Sequence, residues 1–147
     1  MDLFEYPNKE EWNKRRRWLD YELEQAETGS SYLVSDYSTA LFMDMQITYC
    51  SGTWISVVIM SVSVIDAHLR ETEAMDAKIG TAKLLTYYYE GEGIDWLRQL
   101  RNKDVYHNLN KPIIEMHDWF NNQNQLKKDA TKAMQMTIST LFQNPGT

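Results

Sequence analysis

A charge-free stretch from Met45 to Ile65 constrains the fold of this chain more than any other feature of its sequence. Its length, about 21 residues, is nominally enough to span a bilayer. Polar and small residues interrupt its first half, however, and only the part from Ile55 to Ile65 is solidly apolar. We therefore interpret the stretch as a helix buried in a protein core and expect no association with a membrane.

The same stretch also carries a strand signal, because β-branched residues are dense from Val57 to Val64. No turn residue bounds this run, and the chain offers no second strand to pair with it. We therefore favour a helix here.

Length and charge limit the class of protein. The 147 residues suffice for one domain with its own core, and we expect a single domain over 1–147. A net charge of −6 argues against indiscriminate binding to a polyanion but allows a locally basic groove. Cys50 is the single cysteine, so no internal disulfide can form. A reducing, cytoplasmic location is expected, since the first five residues also lack the basic start of a signal peptide.

Capping signals and apolar periodicity predict the helices. Asn8 is expected to cap a first helix, with Glu11 in capping-box spacing, and this helix should end near Glu27. A long helix is expected from Asp36 to about Ala74, with apolar residues at helical spacing throughout.

Shorter helices are predicted in the second half of the chain. One should begin after Gly80 and cover Thr81 to about Glu90, and another should run from Ile94 to about Tyr106. A last helix is expected from a cap at Asp129 to about Phe142, while 113–128 has no clear pattern. The sequence therefore predicts an all-α protein, an antiparallel bundle of four to five helices.

The candidate chemistry lies in Arg101, Asn102 and His107. A guanidinium binds phosphate oxygens through a fixed fork of donors, and an imidazole can transfer a proton near neutral pH. On a straight helix the two side chains would be about 9 Å apart along the axis and roughly 120° apart around it. They could not grip one phosphate together, so either the helix is distorted before His107 or two copies of the chain form the site.

This arginine–polar–x4–histidine run resembles the signature of the HEPN superfamily, small all-helical proteins that include many prokaryotic ribonucleases. The resemblance implies a HEPN-like bundle, a homodimer with both motifs in one cleft, and metal-independent cleavage of RNA in a toxin or defence system, where an antitoxin protein could be a partner. His107 would transfer protons, Arg101 would stabilise charge on the transition state, and Asn102 would orient His107 or bind substrate. No cofactor is expected.

A path for RNA can be drawn along the remaining basic residues. The candidates for RNA binding are Arg15, Arg16, Arg17, Arg98, Lys103 and the neighbouring Tyr106. An exposed helix face is the ordinary alternative for the three consecutive arginines. Bases could stack on Tyr87–Tyr89 or Trp96, although aromatic residues at helical spacing more often belong to a core.

Other chemistries have weaker support. His68 with Glu71, or Glu115 with His117 and Asp118, could contribute metal ligands, but the apolar long helix makes a bundle metal centre unexpected, and we predict none. The alternative to an enzyme is a non-catalytic HEPN-like module that binds a protein partner or a nucleotide through the same groove.

Overall fold

The protein is all-α, with one two-residue antiparallel pair, Ser31–Tyr32 with Pro145–Gly146, in the part of the chain that is described. The computed structural model describes residues 6–27, 31–32, 35–105, 116–143 and 145–146. Its helices are α1 (Lys9–Ala26), α2 (Asp36–Ser51), α3 (Trp54–Leu69), α4 (Thr81–Tyr88), α5 (Ile94–Val105), α6 (Met116–Asn121) and α7 (Gln123–Leu141), and a π-helical turn, Arg70–Ala74, continues α3.

Helix α1 confirms the capping prediction. The Asn8 side chain accepts a hydrogen bond of 2.8 Å from the backbone N–H of Glu11, which satisfies one of the free donors of the first turn. The helix ends at Ala26, one residue before the expected end.

The prediction of one long helix from Asp36 to Ala74 is wrong, because Gly52 divides it. Gly52 adopts a left-handed conformation with φ 79°, and its N–H binds the carbonyls of Thr48 and Tyr49, which ends α2. The chain is helical again from Trp54, so the helical interpretation of the β-branched run is confirmed. After Leu69 the chain widens into the π-helical turn Arg70–Ala74, which is followed by Met75 in a left-handed conformation with φ 52°.

Helices α4 and α5 lie close to their predicted bounds, but the predicted start of the last helix is wrong. Helix α7 begins at Gln123, six residues before the expected cap, and Asp129 instead accepts a hydrogen bond from Gln125 one turn earlier. Glutamine and lysine are good helix formers, so the polar composition of 123–128 is compatible with helix.

Helix α3 is the centre of the fold and packs against α2, α5 and α7. Two clusters of buried side chains surround it, one shared with α1, α2 and α7 and one shared with α4, α5 and α7. The apolar spacing of the last helix predicts one buried face, and the structure confirms it, with Ala130, Ala133, Thr137 and Leu141 all buried. Among the described helices, none combines the length and apolar composition that crossing a bilayer requires.

Gly52→Ala tests the division between α2 and α3. A Cβ at this position would lie 3.0 Å from an Arg15 guanidinium nitrogen, and φ 79° is unfavourable for alanine. We expect the free energy of unfolding to fall by about 1–2 kcal/mol, measured by urea denaturation. Gly80→Ala, where no atom lies within 4 Å of the added carbon and φ is −67°, should cost clearly less. Equal losses in the two variants would contradict the proposed strain.

His68 is a buried titratable group on the central helix. It is 3% exposed, and its Nδ1 has no hydrogen-bond partner among the described residues. Burial lowers the pKa of the imidazole, and the nearby Glu73 and Glu71 only partly oppose this effect. The folded protein therefore favours the neutral ring.

This environment predicts a loss of stability in mild acid. In the unfolded chain the histidine pKa is about 6.5, so as the pH falls below this value the unfolded state binds a proton that the folded state does not. Stability should decrease by up to about 1.4 kcal/mol per pH unit until the pH reaches the folded pKa. The check is urea denaturation of the natural protein and His68→Leu between pH 7 and pH 5. The variant should lose this slope, and an unchanged slope would show that His68 is not responsible.

Candidate functional site

A cavity of about 310 Å³ lies beside the C-terminal half of α3. Its walls come from α2, α3, the π-helical turn, α4 and α5. The lining residues are Tyr37, Val62, Ser63, Asp66, Ala67, Arg70, Glu71, Thr81 and Arg101.

Helix geometry brings the α3 residues of the cavity together. One stripe along α3 carries, at three- and four-residue intervals, Val62, Ser63, Asp66 and Ala67. Arg70, the first residue of the π-helical turn, continues this stripe. Most other residues of α3 are buried in the core, and most are apolar. The charged residues of the stripe therefore lie at its C-terminal end, after the apolar run. The cavity is therefore polar at the C-terminal end of the helix and apolar further back.

Arg70 is fully engaged by the protein. Its Nε and Nη2 donate to the two carboxylate oxygens of Asp66 at 3.1 and 3.0 Å. Its Nη1 donates to the backbone carbonyl of Asp76, at 3.2 Å, and to that of Ile79. This guanidinium neutralises Asp66 and ties the segment between the π-helical turn and α4 against α3, so it has little capacity left for a ligand.

Arg101 has the opposite character. Its Nε is buried and has no hydrogen-bond partner among the described residues, and its Nη1 donates to the side-chain oxygen of Asn102 at 3.2 Å. Proteins rarely leave a buried donor unpaired, since the cost is about 1–3 kcal/mol. Of the two guanidinium groups at the cavity, Arg101 is therefore the one whose hydrogen-bonding capacity the described protein groups do not meet.

Glu71 and Tyr37 complete the polar part of the cavity. Glu71 is exposed, with no hydrogen bond or ion pair to another described residue, and Tyr37 is 61% exposed. Among the residues that the structure describes, the cavity therefore offers one available guanidinium, one available carboxylate and one accessible aromatic ring.

The sequence identified only part of this site. The motif predicts Arg101, whereas no sequence signal predicts Tyr37, and Glu71 is predicted only as a possible metal ligand. Asp66 and Arg70 were not predicted either, although an acid–base pair four residues apart at the end of an apolar run is a signal that could have pointed to them.

Of the other residues predicted for the site, none that the structure describes is among those that line the cavity. Asn102 is exposed and contacts Arg101, while His107 and Tyr106 lie outside the described residues. On α5, Lys103 is exposed. The Nη1 of Arg98, which is half-buried, lies 3.6 Å from Oδ1 of the exposed Asp95, and an ion pair with one such exposed partner adds little stability. The expected meeting of Arg101 with His107 stays a prediction.

Arg15 departs from the expectation of three exposed arginines. It is partly buried, and its Nη1 donates to the carbonyl of Cys50 at 3.0 Å, at the C-terminus of α2. Its guanidinium carbon also lies 4.9 Å from the centre of the Trp54 ring. Arg15 thus links α1 to the break between α2 and α3, whereas Arg16 and Arg17 are exposed as expected.

The aromatic residues predicted as candidates for base stacking are mostly packed against the core. Tyr88, Tyr89 and Trp96 are partly buried against the second core cluster, and Tyr87 is exposed. Burial raises the pKa of the Cys50 thiol, which keeps it in the less reactive form. Within the described ranges no group of three or more histidine, cysteine, aspartate or glutamate side chains is placed to hold a metal ion.

No family model, curated protein or solved structure matches this chain. The resemblance to the HEPN superfamily therefore rests on the motif and the helical composition alone.

Arg70→Lys tests the role of Arg70 in holding the cavity together. A lysine keeps the charge but cannot form the two-pronged contact with Asp66 and reach two carbonyls as well. We expect a loss of about 1–2 kcal/mol in the free energy of unfolding and faster amide hydrogen exchange at 76–80. Arg98→Lys, the matched control, should change stability by less than about 0.5 kcal/mol. Unchanged exchange at 76–80 in Arg70→Lys would show that this segment is held by other contacts.

Proposed function

We propose that the chain is a metal-independent endoribonuclease of the HEPN type, in which Arg101 binds the scissile phosphate and His107 transfers protons. One observation carries the proposal: Arg101 lines a cavity with a buried guanidinium nitrogen that no described residue satisfies. A phosphate is the ligand that best matches a guanidinium, because it accepts two parallel hydrogen bonds.

The proposed reaction needs a ribose 2′-hydroxyl beside the phosphate. The 2′-oxygen attacks phosphorus as it loses its proton, and the bond from phosphorus to the 5′-oxygen breaks as that oxygen gains a proton. The products are a 2′,3′-cyclic phosphate and a 5′-hydroxyl. His107 accepts or donates a proton, and Arg101 stabilises the negative charge of the pentacoordinate transition state.

The charges around Arg101 support recognition of a single phosphate. Of the two carboxylates at the cavity, Asp66 is neutralised by Arg70, which leaves Glu71 as the one that would repel an anion. The net charge of −6 gives no general attraction for a polyanion. Binding that depends on one phosphate contact should weaken only slightly with salt, with a slope of about −0.7 in the logarithmic plot.

The proposal includes a second copy of the chain and an antitoxin protein as partners. Two His107 side chains, one from each copy of a homodimer, would divide the roles of base and acid. A cytoplasmic toxin or defence protein of this kind would be controlled by an antitoxin protein.

The second candidate is a binding module without catalysis. The observation that favours it is the size of the cavity, which at about 310 Å³ is near the lower end of small-molecule sites and fits a single nucleotide better than a longer strand.

Cleavage of a short RNA distinguishes the two candidates. The purified protein should cleave single-stranded RNA in the presence of a chelator and leave the same sequence with 2′-deoxyriboses intact. Arg101→Gln should lower the cleavage rate by about 10²–10³-fold, and His107→Ala should lower it at least as much. Lys9→Gln, an exposed charge change at the start of α1, is the control and should keep full activity. Nucleotide binding without RNA cleavage would favour the binding module. Cleavage that survives Arg101→Gln would contradict the proposal that Arg101 binds the scissile phosphate and stabilises the transition state.

A further inference from the structure

The unpaired groups of the cavity define what a ligand must offer. Among the described residues, Arg101 has a buried Nε without an acceptor, and Glu71 presents an exposed carboxylate that can accept hydrogen bonds. Asp66 and Arg70 bind each other. Tyr37 adds an accessible ring to the same cavity. A nucleotide has the three complementary parts, a phosphate, a base edge and a flat base face.

Ring stacking suits the exposed position of Tyr37. Bases stack on aromatic side chains with little dependence on sequence, since every base has a flat π-face. Stacking can therefore hold a base at the cavity, but it cannot choose among bases. The choice has to come from a polar group.

A carboxylate distinguishes the bases by their donors. Two parallel N–H groups satisfy both of its oxygens, and among the four RNA bases only guanine presents such a pair, at N1 and N2. Uracil has one N–H between two carbonyls, which repel a carboxylate. Adenine and cytosine place an amino group beside a ring nitrogen that is itself an acceptor.

We infer that the cavity selects a guanine nucleotide, with Glu71 binding the N1 and N2 donors of the base and Arg101 binding its phosphate. This inference rests on the proposed function, because it assigns the base specificity of the same site. It predicts cleavage next to guanosine.

Binding of nucleoside 3′-monophosphates tests the inference without relying on cleavage. Calorimetry on the full chain should show that the guanosine nucleotide binds at least about tenfold more tightly than the adenosine, cytidine and uridine nucleotides. The inosine nucleotide, which lacks only the N2 amino group, should bind with intermediate affinity.

Three variants separate the contributions. Glu71→Gln should reduce the preference for guanosine to about twofold or less and leave the other affinities nearly unchanged, while Arg101→Gln should weaken all four nucleotides. Tyr37→Leu should also weaken all four, by about tenfold. The matched controls are Glu92→Gln and Tyr21→Leu, exposed residues that do not line the cavity.

The outcomes distinguish the inference from the proposed function. Equal affinity for the four nucleotides, no binding of any, or a guanosine preference that survives Glu71→Gln would overturn the inference. RNA cleavage without base preference would overturn it and leave the ribonuclease proposal standing. Selective binding through Glu71 without RNA cleavage would support the specificity and remove the catalytic role.

Discussion

The two hydrogen bonds between Asp66 and Arg70 determine the chemistry of the cavity. They neutralise a carboxylate and occupy a guanidinium, and the remaining nitrogen of Arg70 holds the segment that leads into α4. Without this pair, two acidic and two basic groups would compete for any ligand. With it, Arg101 and Glu71 are the charged groups at the cavity that stay available among the described residues.

Much of the helical layout follows from local signals in the sequence. Asn8 caps α1 because its side chain accepts a hydrogen bond from the N–H of Glu11. The apolar second part of the charge-free stretch, from Trp54, lies in the central helix α3, most of whose side chains are buried. Gly52 was not recognised as a break, since helical patterns continue on both sides of it. Its left-handed conformation ends α2, and the Arg15 guanidinium packs beside it from α1, a tertiary contact that local sequence does not reveal.

The candidate site was predictable only in its single most distinctive residue. Arg101 belongs to a recognisable motif, but its significance comes from a contrast with Arg70 that depends on tertiary structure. Tyr37 and Glu71 join the cavity from α2 and from the π-helical turn, and no spacing rule connects residues so far apart in the chain. Arg15 differs in that the sequence predicts it as a candidate for RNA binding, whereas in the structure its guanidinium links α1 to the end of α2.

The most direct test of this account is a phosphate titration followed by NMR of the arginine side-chain Nε–H groups. Each signal would be assigned by comparison with the Arg70→Lys and Arg101→Lys variants. The account predicts that the Arg101 signal shifts as phosphate is added, while the Arg70 signal stays in place because Asp66 already occupies that nitrogen. A shift of Arg70, or no shift of Arg101, would contradict the claim that Arg101 is the available anion-binding group.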